Sequence, residues 1–230
     1  MSTGRPIMGR SATAVSSGLM RTIMISVPHC LDDVIAMLTD EAAIDRSQVF
    51  PFSFISALEA VSKHPPLGVL RALTALSDAA DLSLVNMPIF TGRTLVALDG
   101  SKTMSGRSLQ IGSLLAASLT KTNDTDVMLF DQDARHFALN RRDSALSLAR
   151  QLESQCTAAG THCHSIFQQA RRGYDRIIIL SDQQCWNGSS APTATFARWK
   201  AKHRCEPKVY SINLSGSDAM HSPEHDVFCL

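Results

Sequence analysis

The sequence predicts an α/β protein: a doubly wound, mostly parallel sheet preceded by a short α-helical N-terminal extension. Three observations predict it. From residue 93 onward, short apolar runs alternate with amphipathic stretches, the pattern of a sheet covered by helices on both faces. Residues 31–86 show helical spacing and no strand-like alternation. With 230 residues, 44% hydrophobic and 19% charged, the chain has apolar material for one sizeable core or two small ones, which excludes disordered, collagenous and low-complexity classes.

Taken in order, residues 1–30 are rich in Ser, Thr, Gly and Met, lack a period, and are expected to be poorly ordered. Leu31, Val34, Ile35 and Leu38 then fall at i, i+3, i+4 and i+7. The same spacing links Phe54, Ile55, Leu58 and Val61, and again Leu73, Leu76, Ala80 and Leu84. A segment of three or so packed helices is therefore expected within 31–92. Pro51 suits a first helical turn, and Pro65-Pro66 separates two helices. Helices this short need further partners, and Phe52 and Phe54 are the expected anchors toward the second region. In 93–230 the expected strands are 94–98, 127–130, a short edge strand at 136–139, 176–180 and 208–213. Helices are expected around 109–119, 144–155, 165–172 and 193–203.

The formal net charge is +1, with an asymmetry beneath it. Residues 1–92 hold six Lys/Arg against eight Asp/Glu, so 93–230 hold 16 against 13. That balance excludes an obligate nucleic-acid binder of strongly basic type and leaves only local patches. Arg171, Arg172 and Arg176 form one; Arg198, Lys200 and Lys202 head another that continues to Lys208. Both also read as ordinary solvated faces. No window approaches the ~18 uncharged apolar residues of a membrane span, and Arg21 interrupts the early apolar stretch, so neither a membrane segment nor a secretory leader is expected. The six cysteines are sparse and show no CxxC pairing, which suits reduced thiols and a cytoplasmic setting.

In a parallel α/β sheet, chemistry belongs to the loops after the strand carboxyl ends. Three such loops carry matching residue types. Leu98-Asp99-Gly100-Ser101-Lys102-Thr103 alternates oxygen-bearing side chains along one edge of a turn. Gly160-Thr161 adds a hydroxyl and Ser181-Asp182 a distant second carboxylate. Asp99, Ser101, Thr103, Thr161 and Asp182 make a hard, oxygen-only set with room for water, which suits Mg²⁺ or Mn²⁺ and leaves a coordination position open.

Other readings compete for the same residues. Asp99 and the serines after it also suit a turn that caps the next helix. A P-loop fits poorly, because Lys102 follows Ser101 instead of Gly. An Mg-dependent phosphoryl-transfer enzyme with Asp99 as nucleophile is the alternative, although position 101 holds Ser where a second carboxylate would be wanted. His162-Cys163-His164 invites zinc or a Cys nucleophile, but ligands one residue apart cannot close a tetrahedral site by themselves. Cys163 reads as buried at a helix start, and Trp186 and Trp199 as packing residues.

Asp99-x-Ser101-x-Thr103, Thr161 and Asp182, in this order, resemble the metal-ion-dependent adhesion site of von Willebrand factor A domains over about residues 93–215. Thr103 stands where that motif normally has Ser and keeps the hydroxyl, while Lys102 lies between two of the ligands. A narrower likeness extends further along the chain. Ser47-Gln48-Val49-Phe50-Pro51-Phe52-Ser53-Phe54-Ile55-Ser56-Ala57, Leu82-Ser83-Leu84-Val85-Asn86-Met87-Pro88, Gly92-Arg93-Thr94-Leu95-Val96 and Gly160-Thr161-His162-Cys163 resemble the C-terminal half of TROVE-domain proteins, the Ro autoantigen family. That resemblance implies a metal-binding, non-enzymatic module in an RNA–protein complex, with noncoding RNA as a partner. It also allows a protein partner that offers an acidic side chain to the metal. This chain would hold only the last helices of the family's RNA-binding ring.

Overall fold

The computed structural model describes residues 31–63, 68–157, 160–182, 191–215 and 227–229. The expectation of poor order at 1–30 and the packing role expected of Trp186 lie outside them. The chain divides into two units between Asn86 and Met87.

In the first unit the apolar spacing produces α1 (Leu31–Leu38), α2 (Glu41–Ser47), α3 (Ile55–Lys63) and α4 (Val69–Leu82). Among the described residues there are four helices where the periodicity predicts about three, because α2 is set by its ends more than by its apolar spacing. The Asp40 carboxylate accepts from the Ala43 N–H at 3.1 Å, and the chain leaves through Gln48 in the left-handed region, φ 53°. Pro51 opens a 3₁₀ turn, Pro51–Phe54, that runs straight into α3. Proline has no N–H to lose at such a start. This turn and α3 both pack against α4. Leu38, Val61, Leu76 and Phe54 are buried, while Phe52 stacks on Phe50 with ring centroids 5.4 Å apart.

The second unit is a six-stranded sheet: β1 (Thr94–Asp99), β2 (Thr125–Phe130), β3 (Ala134–Phe137), β4 (Arg176–Ser181), β5 (Lys208–Asn213) and β6 (Val227–Cys229). Its spatial order is β3-β2-β1-β4-β5-β6, and every pairing is parallel except β2 with β3. The α/β expectation holds, and β6 is an addition to it. β1 lies centrally and all six of its residues are buried, so it reads as a continuous apolar run instead of an alternation. The helices are α5 (Arg107–Thr122), α6 (Ala145–Ser154), α7 (His164–Gln169) and α8 (Ala191–His203).

One core joins Leu95, Ala97, Met128, Ile177 and Ile179 of the sheet to Ile166 and Phe167 of α7 and Phe196 and Trp199 of α8. Trp199 is a packing residue, as expected, and its indole N–H donates to the Ala170 carbonyl at 3.3 Å. α5 packs against β1 and α6, and it comes close because residue 112 is glycine. A Cβ there would lie 2.8 Å from methyl carbons of both Leu98 and Leu214.

Cys163 is buried at the start of α7, as expected. It is disulfide-bonded, however, while Cys156 and Cys205 are free thiols. This corrects the expectation of reduced thiols throughout, since cysteine spacing along the chain does not say which sulfurs the fold brings together. Among the described residues no helix is long and apolar enough to cross a membrane.

Candidate functional site

The strand order reverses at β1: the chain moves from β1 to β2 on one side, then returns to β4 on the other. At such a switch point the loops after two neighbouring strands diverge and leave a crevice. Asp99 ends β1, and Asp182 directly follows β4, where Leu98 pairs with Leu180. The two predicted carboxylates therefore flank this crevice from adjacent strands.

The Asp99 loop is held tightly. Gly100 donates its N–H to the Phe130 carbonyl at 2.8 Å, anchoring the loop to β2. The Ser101 N–H donates to Asp99 Oδ1 at 2.8 Å, and the Ser101 and Thr103 hydroxyl oxygens lie 3.1 Å apart. A 3₁₀ turn, Lys102–Met104, follows and inserts Met104 into the core while Lys102 stays exposed. The lysine between the two hydroxyls thus points to solvent. Asp99, Ser101 and Thr103 are brought together as the spacing predicts.

Asp99 is fully buried, and its Oδ2 makes no hydrogen bond among the described residues. Burial raises its pKa from 3.8 to about 6; the Ser101 hydroxyl and N–H oppose the rise, and the charges of Asp182 and Asp131 add to it. Asp182 is therefore close enough to Asp99 to be felt electrostatically. Thr161 is half-exposed and makes no hydrogen bond to the other four residues. Its loop is nevertheless tied to the same sheet end, because the His162 N–H donates to the Asp131 carbonyl at 2.7 Å.

Asp131 is the residue that sequence reasoning missed. It follows β2 as Asp99 ends β1 and Asp182 follows β4, so three adjacent parallel strands each deliver a buried carboxylate to one end of the sheet. A carboxylate directly after an apolar run was the available signal. Burial works against the Asp131 charge, but the Thr157 hydroxyl at 2.6 Å, the Asp133 N–H and the Arg135 guanidinium at 3.2 Å outweigh it and hold its pKa below the ordinary value.

Among the described residues, no group of three or more His, Cys, Asp and Glu side chains is placed to hold a metal by itself. The donors gathered at Asp99 are hydroxyls as much as carboxylates. His162 and His164 stack on each other with centroids 5.4 Å apart.

The six basic candidates divide. Arg172 is paired with Asp126 at 2.8 Å, Arg176 lies over the Phe90 ring at 4.2 Å, and Lys200 is paired with Glu206 at 2.9 Å. Arg171, Arg198 and Lys202 are exposed and make no ion pair among the described residues. Sequence spacing does not set Arg172 and Arg176 apart, because Asp126 and Phe90 come from distant parts of the chain, whereas Glu206 lies only six residues beyond Lys200.

No family model matches the chain. It is 25% identical over 205 residues to the RNA-binding protein RO60 of Deinococcus radiodurans, an alignment covering 80% of this chain and 38% of that protein. The crystal structure of the Deinococcus radiodurans RO (RSR) protein superposes with a TM-score of 0.68 at 20% identity, covering 93% of this chain and 49% of that one. The chain thus spans half or less of the length of the relatives it matches. By sequence it is similar to this RO60 protein, and its fold is similar to that of the RO (RSR) protein.

Proposed function

We propose that this chain is a divalent-metal-dependent binding module that acts with noncoding RNA in an RNA–protein complex. The observation that carries the metal half is the buried Oδ2 of Asp99. It is an anionic oxygen without a hydrogen-bond donor among the described residues, in a crevice that also holds two further carboxylates and the Ser101 and Thr103 hydroxyls. Leaving such an oxygen uncompensated is costly, and a cation relieves the cost. Asp99, Ser101, Thr103, Thr161 and Asp182 would hold Mg²⁺ or Mn²⁺, with Asp131 adding negative charge beside them. A bound cation with an open position supplies a Lewis-acidic seat for one anionic oxygen of a partner, here an RNA phosphate.

The RNA half is supported by the similarity to a protein named as RNA-binding. Exposed Arg171, Arg198 and Lys202 would contact phosphates, whereas Arg172, Arg176 and Lys200 are engaged within the fold. Ser101 stands where a phosphoryl-transfer enzyme would want its acid and base, so the chain is read as a binder and no residue is assigned a catalytic role. Titration calorimetry with Mn²⁺ tests the metal half: the wild type should bind and Asp99→Ala should not. Unchanged affinity in the variant overturns the assignment. Electrophoretic shifts with structured and single-stranded RNA at low salt, with Mn²⁺ and with EDTA, test the RNA half. If neither RNA shifts, an acidic protein partner becomes the occupant of the open position.

A further inference from the structure

A second site lies at the opposite end of the sheet from Asp99, where β2 begins and the antiparallel edge strand β3 ends. A cleft of about 420 Å³ opens there, with Asp126 and Val127 of β2, His136 and Phe137 of β3, and the segments after β3 and α7 as its walls. Clefts of this size lie in the range of small-molecule sites and exceed what a lone phosphate fills.

Three arginines line it: Arg141, Arg171 and Arg172. The carboxylate in the wall is Asp126, and a single oxygen of it is already shared. Asp126 Oδ2 accepts from Arg172 Nε at 2.8 Å and from the Tyr174 hydroxyl at 2.6 Å. The guanidinium of Arg171 makes no ion pair among the described residues. That of Arg141 reaches only the Thr125 carbonyl, at 3.5 Å. Two positive charges therefore face the cleft without an anion. His136 adds a further group: its Nε2 is shut away from solvent and makes no hydrogen bond among the described residues. The apolar part of the lining is formed by Val127, Ala138, Leu139 and the half-exposed ring of Phe137.

We propose that this cleft binds a nucleoside monophosphate unit, its phosphate held by Arg141 and Arg171 and its base laid against Phe137. Guanidinium groups recognise phosphate oxygens through paired, charge-assisted hydrogen bonds, and an aromatic face stacks with any base. The unit can come from a free nucleotide or from the phosphorylated end of an RNA. The recognising chemistry is the same for both. The assignment stands on the cleft alone and not on the metal or RNA readings above.

The test uses the full chain in EDTA and low salt, so that cation binding plays no part. Calorimetry with adenosine monophosphate, adenosine and inorganic phosphate is compared with fluorescence anisotropy of short RNAs bearing a 5′-phosphate or a 5′-hydroxyl. The monophosphate should bind on the order of tenfold more tightly than adenosine, and the surface double variant Arg141→Ala/Arg171→Ala should lose that advantage. Phe137→Ala should weaken the monophosphate several-fold and leave inorganic phosphate unchanged. Preference for the phosphorylated RNA over its hydroxyl counterpart supports RNA ends as the source; binding of the free monophosphate without that preference supports a free nucleotide. Adenosine binding as well as its monophosphate, or an unaltered double variant with a native circular dichroism spectrum, overturns the proposal.

Discussion

Asp99 shows why a site residue is at odds with the stability of the fold that holds it. Its folded pKa of about 6 against an ordinary 3.8 means that the folded chain holds the proton more tightly than the unfolded chain does. With the sign worked through, the metal-free protein should lose stability as pH rises from about 4 through about 6, since the buried carboxylate is then forced to ionise. Asp99→Asn removes that charge. In EDTA at neutral pH it should be more stable than the wild type by about 1–3 kcal/mol, and its stability should no longer fall across this pH window. Mn²⁺ should raise the Tm of the wild type, and the same variant should lose that rise. Thermal melts with EDTA and with Mn²⁺ check both halves, and a variant less stable than the wild type in EDTA would show that the carboxylate is structurally needed. Tyr174 presents a simpler case. Its hydroxyl donates to Asp126 at 2.6 Å, so Tyr174→Phe should cost about 1–2 kcal/mol in a urea melt, Arg172 still holding the carboxylate.

At the level of elements, the join between α5 and β1 is the most exacting. Alanine in place of Gly112 gains about 1 kcal/mol of helix propensity. Its Cβ, however, would press on Leu98 and Leu214 methyl carbons at 2.8 Å, and such overpacking costs about 1–3 kcal/mol. Leu98 is fully buried and cannot swing clear, so Gly112→Ala should be destabilising by about 1 kcal/mol or more. An increase in the urea midpoint would show that the helix can move outward instead. The apolar spacing of α5 was legible in the sequence. The need for glycine on its sheet-facing side was not, because Leu214 approaches from β5's end, about a hundred residues later. α2 illustrates the converse: a weak apolar pattern was overridden by a strong cap at Asp40 and a left-handed exit at Gln48.

Across the whole molecule, the near-neutral balance of charge sets how RNA could be held. With few exposed cations in the two patches, Arg171, Arg198 and Lys202 among them, affinity should be weak and steeply salt-dependent. Each phosphate contact contributes roughly 0.7–0.9 to the slope of log affinity against log salt. Arg198→Ala/Lys202→Ala should therefore reduce the magnitude of that slope by about 1.5, measured by filter binding over a salt series. A slope that does not change would exclude the exposed face of α8 as a phosphate contact. Trp199, buried on the other side of the same helix, gives no stacking platform to compensate.

The sequence by itself determined the local character of nearly every element: the alternation of strand and helix after residue 93, the helical run before it, and the Asp99-x-Ser101-x-Thr103 turn, whose three members do meet. These are readings of period and spacing, which depend on neighbours a few residues away. Only the tertiary structure decided which strands lie side by side. The order β2-β1-β4 is what sets Asp131 beside Asp99 and Asp182, and what ties the Thr161 loop to their end of the sheet. The same long-range pairing adds β6 and occupies Arg172 with the Asp126 carboxylate of β2. Chain connectivity says nothing of these, because each is a contact between segments that only the packing of the apolar faces brings together.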